Sequence, residues 1–431
     1  MPLARQVFDR TESMNGPQTI SCTTFNILAP IYKRLGGGMR ESDFYASWHS
    51  RNVSILDRLL HLKSSVICLQ EFWVGNEELV KMYEKRLGDA GYLTYKLART
   101  NNRGDGLLTA IHESKFRVLN YRELLFNDIG DRVAQVLHVE LCGNVSQTGV
   151  IKKQNEALFI NTHLIFPHNS RYCFLRLQQV YKILRYIRSY IENRVLPVPV
   201  ILCGDWNGSK KGHVYKFLRS QGFESSYDIA HACADDIEDS QKWVSHRNHR
   251  GNICGVDFIW LQNPQKTHKP LKNSFMEAIL GNIKNLLQNV ITEGGDQLPE
   301  ILKIKGSHIT YSDFFQALEE LGICGHPYGG LDDADVKEIW EHIDEDGDGI
   351  ADVPNFLTAW SLCSSQNEEQ NKKRVADMEG ARESRATIEF VVKKAMLFPE
   401  EVENGTWPES YLLSDHAHLS VEFDINEVHC L

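Results

Sequence analysis

The 431-residue sequence has little that would place it in a membrane, a fibre or a disulfide-stabilised scaffold. No stretch approaches the roughly 18 consecutive apolar residues of a membrane-spanning helix. Met1 to Gln18 is polar and mixed in charge, without the apolar segment that a secretion signal requires. The ten cysteines are scattered singly, without the paired spacing of zinc or redox motifs, so we expect reduced thiols. These absences predict a soluble protein of the cytoplasm or nucleus.

The sequence also lacks an excess of positive charge. Its formal net charge is −10, which gives no bulk positive field and counts modestly against tight, nonspecific binding of polyanions. Any nucleic-acid binding must therefore use a local basic groove or a bound metal ion. With 42% apolar and 24% charged residues, the composition is that of a globular protein. The length predicts one large core with a smaller domain, or two domains of similar size.

Up to about residue 270, short β-branched segments alternate with segments of helical apolar spacing. We predict strands at residues 19–26, 66–70, 157–161, 198–203 and 256–261, and helices at residues 50–62, 77–87 and 176–192. Several of the strand-like segments end in polar residues, where a loop should begin. This alternation favours a layered α/β domain.

The pattern after about residue 273 changes to helices without strands, at residues 275–291, 312–321, 333–343 and 355–362. A polar, charge-rich stretch then resembles a linker, and strand composition returns at residues 388–392 and 419–423. A helical insert therefore interrupts the α/β domain. We predict a discontinuous catalytic domain at residues 18–270 and 386–431, an all-α insert at 271–365 and a polar linker at 366–385.

Polar side chains lie at or just beyond the ends of the predicted strands. Taken singly, each is more often a turn, cap or satisfied core residue. A carboxylate in an apolar segment is costly to bury unless it is paired or metal-bound, and convergence in one site would satisfy several at once. The candidate residues are Asn26, Glu71, His163, Asp205, Asn207, Asp257, Asp415 and His416.

The order of these residues resembles the endonuclease/exonuclease/phosphatase superfamily over about residues 19–268 and 386–424. The resemblance implies a two-layer β-sandwich flanked by helices, with the active site at one edge of the sheets. It implies that Glu71 ligates magnesium, with Asn26 beside it and Asp415 completing the metal environment. It also implies that Asp205, helped by Asn207, orients or deprotonates the attacking water.

The same resemblance implies that Asp257 pairs with His416 beside the scissile phosphate. His163, within Asn161-Thr162-His163, is similar to the histidine of the deadenylase branch, and residues 24–29 resemble carbon-catabolite-repressor-type deadenylases and nocturnin. We therefore predict an exonuclease that acts on RNA. Two features differ from that branch, because the leucine-rich repeat docking domain is absent and an acidic insert replaces a short loop.

The segment Asp344 to Asp352 fits the first nine positions of an EF-hand calcium loop, with glycine at position 6 for the sharp turn. Position 12 is an asparagine where a bidentate glutamate is expected, so we predict weakened calcium binding. Residues 309–318 resemble the exit half of a partner hand, whose loop has no carboxylates and should be silent. The predicted calcium ligands are Asp344, Asp346, Asp348, Ile350, Asp352 and Asn355.

Alternative interpretations remain open at this point. Arg247 and Arg250 would hold backbone phosphates near the site, or they belong to a solvated loop. The whole chain would be an active magnesium-dependent phosphodiesterase, or a calcium-binding interaction protein with a vestigial site. A lipid or small-molecule phosphodiester is the third possibility, although no amphipathic membrane segment or basic lipid patch supports it.

Overall fold

Sixteen strands and eight α-helices lie within the residues that the computed structural model describes, which are 19–142, 155–168, 172–192, 194, 196–232, 243–247, 253–264, 268–292, 308–320, 324–325, 333–344, 346–352, 385–400 and 407–430. The helices are Tyr45–Leu62 (α1), Glu77–Asp89 (α2), Tyr172–Glu192 (α3), His213–Ser220 (α4), Ser226–His231 (α5), Leu271–Thr292 (α6), Tyr311–Glu320 (α7) and Asp333–Ile343 (α8). The strands are Thr19–Asn26 (β1), Val66–Phe72 (β2), Tyr92–Ala98 (β3), Gly106–His112 (β4), Phe116–Leu125 (β5), Val133–Leu141 (β6), Glu156–His163 (β7), Val200–Asp205 (β8), Glu224–Ser225 (β9), His246–Arg247 (β10), Ile253–Cys254 (β11), Asp257–Gln262 (β12), His308–Thr310 (β13), Ile350–Asp352 (β14), Arg385–Phe398 (β15) and His418–Cys430 (β16).

Twelve of these strands form two six-stranded sheets. The first has the order β15–β16–β1–β2–β4–β3, and the second has the order β5–β6–β7–β8–β12–β9. Within them, β1 is parallel to β2 and β7 is parallel to β8, whereas the other neighbouring strands are antiparallel. Each sheet therefore has one parallel pair at its centre, and the two strands of that pair end at the same edge.

The two sheets face each other across a core that contains both apolar and hydrogen-bonded polar side chains. The Sγ atoms of Cys22 on β1 and Cys203 on β8 lie 3.3 Å apart, so these central strands are in direct contact. Gln70 Nε2 on β2 donates to Asn161 Oδ1 on β7 at 2.8 Å, and Asn161 Nδ2 donates to Thr109 Oγ1 on β4 at 3.1 Å. Because these bonds are buried and directional, they specify the register between the layers.

Helices cover the outer faces of the sandwich. The predicted stripe on α3 is buried, including Leu177, Val180 and Ile183, and α3 packs with α4 and α6. On the first sheet, Ile55 and Leu56 of α1 join the same apolar cluster as residues of α2 and β2. No helix in the described ranges is both long enough and apolar enough to cross a membrane. The two-layer α/β architecture predicted from the sequence is confirmed.

All seven predicted strands of the α/β part are present, but four strands between residues 92 and 141 were not predicted. Two reasons are visible in the structure. Strand β5 has one largely exposed face and is rich in polar residues, so its sequence does not have the apolar composition of a core strand. Strands β4 and β6 carry Thr109 and Gln135, polar residues that are buried and hydrogen-bond to each other at 2.8 Å.

The block predicted to contain helices without strands does contain two short strands, so that part of the prediction is wrong. Strand β13 pairs antiparallel with β14, with Ile309 opposite Ala351. Helix α6, at the beginning of this block, packs against α3 and α4 of the α/β part. The predicted helix at 355–362 and nearly all of the linker at 366–385 lie outside the described residues. The division into catalytic domain, insert and linker stays a prediction.

We expect Phe159→Ala to lower the free energy of unfolding by about 3–5 kcal/mol. Phe159 is fully buried on β7 in the core between the sheets, so its removal leaves a cavity that the close-packed layers cannot fill. Urea denaturation followed by tryptophan fluorescence measures the change. Leu125→Ala is the control, because that side chain on β5 is 48% exposed. Equal losses in the two variants would contradict the assigned packing.

Candidate active site

The ends of six strands meet at one edge of the sandwich. The parallel strands β1 and β2 end there, as do β7 and β8, while the antiparallel strands β12 and β16 begin there. In the second sheet, Asp205 lies between two register partners, His163 on β7 and Asp257 on β12. Polar residues that are distant in sequence are therefore brought to one place by strand pairing alone.

Asp205 is the centre of this cluster. Its Oδ2 atom accepts a hydrogen bond from Asn26 Nδ2 at 3.0 Å and lies 3.3 Å from His163 Nε2 and 3.8 Å from His416 Nε2. Its Oδ1 atom accepts from the backbone amide of Asn207 at 2.9 Å. Since the side chain is 1% exposed, these donors compensate for the loss of solvation and hold the carboxylate in one orientation.

Asp257 and His416 form a buried pair. His416 Nδ1 lies 2.9 Å from Asp257 Oδ2, and Ser245 Oγ donates to the same oxygen at 2.7 Å. Burial alone would lower the pKa of His416, but the Asp257 carboxylate, followed by Asp205, raises it to about 10. The imidazole is therefore protonated at neutral pH, with Nδ1 bonded to Asp257 and Nε2 directed to the Asp205 side of the site.

Glu71 supplies a second carboxylate, from the first sheet. Its Oε1 accepts from Asn26 Nδ2 at 3.3 Å and its Oε2 accepts from the backbone amide of Ala29 at 3.1 Å. Burial, followed by the charges of Asp415 and Asp105, raises the pKa of Glu71 to about 7. A cation beside Glu71 would offset that crowding of negative charge, and oxygen ligands are those that magnesium prefers. These residues therefore fit a divalent metal ion.

Asp415 faces a histidine that the sequence interpretation did not single out. His246 Nε2 lies 3.6 Å from Asp415 Oδ2, and the His246 ring stacks on His416 with 4.1 Å between centroids. Burial would raise the pKa of Asp415, but the hydrogen bond with His246 and the charges of His416 and His246 lower it. With 36% of its side chain exposed, Asp415 keeps a solvent-accessible, charged oxygen at the site.

His163 and Asn207 form the side of the site nearest β7. Asn207 Nδ2 donates to His163 Nε2 at 3.0 Å and to Leu164 O at 2.9 Å. Burial, followed by the positive charges of Arg132 and Arg99, holds the pKa of His163 well below its ordinary range. His163 is therefore neutral, in contrast to His416 across the site.

Three strand ends at the site have left-handed backbone at residues other than glycine. The φ angles are 52° at Leu28, 54° at Glu71 and 47° at Asn207. Such conformations cost on the order of 1–3 kcal/mol each unless surrounding contacts compensate for the strain. At Glu71, the left-handed residue coincides with an irregularity in the pairing of β2 with β4. The Glu71 carboxylate is thereby directed to Asn26 and to the backbone amide of Ala29.

A buried arginine holds two of the site segments together. Arg51 Nη1 donates to Ile27 O at 2.7 Å and to Leu413 O at 2.8 Å, and Arg51 Nη2 donates to Leu28 O at 2.7 Å. Glu41 is its buried ion partner, with Arg51 Nε 2.9 Å from Oε1. Arg51 thus links the end of β1 to the segment that precedes Ser414, although the two are almost 400 residues apart in sequence.

The structure also describes most of the acidic loop after α8. One carboxylate oxygen from each of Asp344, Asp346 and Asp348 lies within 4.8 Å of the others. Asp344 Oδ2 accepts from the backbone amide of Gly349 at 3.0 Å, whereas its buried Oδ1 has no hydrogen-bond partner among the described residues. Gly349 has φ +84°, a conformation that favours glycine. Hard oxygen ligands in such a cluster fit calcium.

The remaining candidate residues are less informative. Arg247 is partly buried, and its backbone amide donates to Asp415 O at 3.0 Å, so the segment lies beside the site. Arg250 and Asn355 lie outside the described residues, and their predicted roles stay predictions. Ser245 was missed, because a serine twelve residues before Asp257 carries no motif, yet it accepts from the Val256 and Asp257 amides.

Comparisons with known proteins agree with this geometry. A model described as the endonuclease/exonuclease/phosphatase family matches residues 23–275. An "uncharacterized calcium-binding protein" of Arabidopsis thaliana is 52% identical over 416 residues, which covers 95% of this chain and 85% of that protein. Carbon catabolite repressor protein 4 homolog 3 of the same plant is 28% identical over 178 residues, or 41% of this chain and 36% of that protein.

Among solved structures, the human Nocturnin catalytic domain with bound sulfate aligns with a TM-score of 0.43 and 19% identity, over 57% of this chain and 83% of that domain. The predicted resemblance to the carbon-catabolite-repressor branch is confirmed by the sequence comparisons. The family model covers more than half of the chain, and the Arabidopsis relative is similar along almost all of it. The chain therefore belongs to the endonuclease/exonuclease/phosphatase family.

Proposed function

We propose that this chain is a magnesium-dependent phosphodiester hydrolase that acts on RNA as a deadenylase-like exonuclease and carries a calcium-binding EF-hand. The observation that supports the hydrolase most directly is the convergence of Asn26, Glu71, Asp205, Asp257 and His416 at one edge of the sandwich. A calcium-binding protein with a vestigial site would have no need for buried, mutually supported charges there. Family membership makes a hydrolytic reaction the expected chemistry.

The proposed metal ligands are Glu71 and Asp415, with the Asn26 side chain beside them. A bound magnesium ion would offset negative charge that develops on the phosphoryl group. Asn26 donates to both Glu71 and Asp205 through Nδ2, so it spaces the proposed metal ligand from the proposed base. Asn26 is itself held in place, because its Oδ1 accepts from the Leu28 amide at 3.1 Å.

Asp205 is the proposed general base. It is held by Asn26 and by the Asn207 amide, and an oriented carboxylate next to a bound water can accept its proton. His416 has the opposite task. Because Asp257 occupies Nδ1 and keeps the ring protonated, Nε2 carries a proton that can be donated to a phosphate oxygen. A general base and a fixed cation thus lie within 3.8 Å of each other.

RNA as the substrate is supported by His163 and by the segment of residues 24–29, which spans the end of β1. The neutral His163 accepts from Asn207, so it orients the residue adjoining the proposed base. Relatives of the carbon-catabolite-repressor type make RNA the first substrate to test.

The proposal for calcium rests on Asp344, whose buried Oδ1 lacks a partner among the described residues, and on the β13–β14 pairing, which joins the two predicted hands.

We predict that Glu71→Gln, Asp205→Asn and His416→Ala each lower magnesium-dependent hydrolysis by about 100-fold or more. Each substitution removes a proposed metal, base or phosphate contact. Single-turnover assays with and without EDTA measure the effect. Glu77→Gln is the matched control, because that side chain is 88% exposed on α2. Near-wild-type rates in all three variants would show that the site is assigned wrongly.

We predict that polyadenylated single-stranded RNA is degraded in preference to duplex DNA, with progressive shortening from the tail. The assay compares the two substrates at equal concentration on denaturing gels. The Glu71→Gln protein, purified in parallel, reports any contaminating nuclease. Stronger cleavage of duplex DNA would rule out the RNA proposal while leaving hydrolysis itself intact.

We predict that the full-length protein binds calcium with a dissociation constant in the range of roughly 10⁻⁶ to 10⁻³ M, because Asn355 cannot supply two carboxylate oxygens. Calorimetric titration in excess magnesium measures it. Asp344→Ala should abolish binding, Asn355→Glu should tighten it, and Asp333→Ala, at the exposed start of α8, should leave it unchanged. Submicromolar affinity in the wild type, or no gain from Asn355→Glu, would contradict the interpretation of position 12.

A further inference from the structure

Arg132 lies immediately before β6, next to the end of β7 that carries His163. In the antiparallel pairing of these strands, Ala134 is opposite Thr162, so residue 132 lies level with the residues just beyond β7. Thr162 Oγ1 donates to Val133 O at 3.1 Å, and Phe126 N donates to Arg132 O at 3.2 Å. The backbone at Arg132 is therefore held at the site edge of the second sheet.

The Arg132 side chain is buried without a partner. It is 7% exposed, and its Nε and Nη1 atoms have no hydrogen-bond partner within the part of the chain that the structure describes. No carboxylate of the described residues forms an ion pair with its guanidinium, whereas the neighbouring Arg99 and Arg103 pair with Asp105 and Asp131. A buried charge without a partner is among the costliest features in a folded protein. We therefore expect an anionic ligand to pair with this guanidinium.

The residues around Arg132 hold it rather than neutralise it. Asp131, next to it, accepts from Thr100, Asn101 and Arg103, so it has no oxygen directed at Arg132. Arg99 Nη2 donates to Gly130 O at 2.7 Å. Together these bonds join the loop at residues 99–105 to the loop at residues 127–132. Arg132 is thereby presented from a rigid junction of two loops.

Strand pairing places Arg132 at the active site, because β6 lies beside β7 and residue 132 is level with the residue that follows His163. The negative charges of Asp105, Glu71 and Asp205 act on its guanidinium, and its positive charge is the largest that acts on His163. These carboxylates attract the guanidinium through space without bonding to it. A cation is thus present on the side of the site away from the Asp257–His416 pair, with free donors.

We propose that Arg132 binds an anionic phosphate group of the substrate through its free guanidinium donors. The proposal rests on the proposed phosphodiester substrate and adds the residue that binds its charge. A planar guanidinium whose Nε and Nη1 donors have no partner among the described residues suits recognition of phosphate oxygens. Both the scissile phosphate and a neighbouring phosphate of the same strand have this chemistry, and kinetics separate them.

The first test measures binding of inorganic phosphate and thermal stability in the full-length protein with saturating magnesium. We expect Arg132→Met to bind phosphate about 10-fold to 100-fold more weakly than the wild type. We also expect its melting temperature to be unchanged or higher, because methionine fills the volume and removes an unpaired buried charge. Arg117→Met is the control, since that arginine on β5 is 67% exposed.

Three results would overturn the proposal. They are equal phosphate affinity in the wild type and Arg132→Met, no phosphate binding by the wild type, and a lower melting temperature or failure to fold in Arg132→Met. The last of these would make Arg132 a structural residue. Arg132→Lys, which keeps the charge but loses the planar fork, should bind with intermediate affinity.

Hydrolysis kinetics with the RNA substrate distinguish the two phosphate positions. A higher KM with unchanged kcat in Arg132→Met places the contact at a neighbouring phosphate, whereas a lower kcat places it at the scissile phosphate in the transition state. Unchanged KM and kcat would refute a substrate contact. Because phosphate binding is measured without turnover, an inactive wild type that binds phosphate through Arg132 would contradict the proposed RNA hydrolysis and not the anion site.

Discussion

The buried hydrogen bond between Asp257 and His416 joins the two sheets at the edge where the strand ends meet. Asp257 begins β12 of the second sheet, and His416 precedes β16 of the first, so the 2.9 Å bond closes the sandwich across its open side. A second link, from the Ala417 amide to Ser245 O at 2.7 Å, runs beside it. The orientation of the imidazole, the spacing of Asp205 and the position of Asp415 all depend on this closure. The site is complete only when the C-terminal strands β15 and β16 have paired with β1 in the first sheet.

The carboxylates and the imidazole of the site shift one another's pKa values because the fold buries them close together. Burial, followed by the charges of Asp415 and Asp105, raises the pKa of Glu71 to about 7, whereas the Asp257 and Asp205 carboxylates raise the pKa of His416 to about 10 against the effect of burial. The site therefore holds the protonated imidazole of His416 next to several carboxylates. Such opposed shifts arise when groups of both signs share a poorly solvated space, as they do in many functional sites.

Much of the site could be predicted because the catalytic candidates stand where apolar strand segments stop. Parallel pairing then brings the ends of β1 and β2, and of β7 and β8, to one edge, which a reader of the sequence can anticipate. Ser245 and His246 could not be found in this way. The role of Ser245 comes from its hydrogen bonds with Asp257 and Val256, and that of His246 from a bridge to His416, which is 170 positions away, so neither leaves a local pattern. Arg132 was missed because an unpartnered charge is a property of the folded interior.

The left-handed backbone at Glu71 has a consequence for how this family would change over evolutionary time. Glycine adopts φ near 54° without strain, so selection for stability alone favours glycine or asparagine at this position. The proposed role of Glu71 as a metal ligand would account for a glutamate at this position. In a lineage that no longer requires the reaction, this residue would be among the first to drift, and it would drift toward glycine.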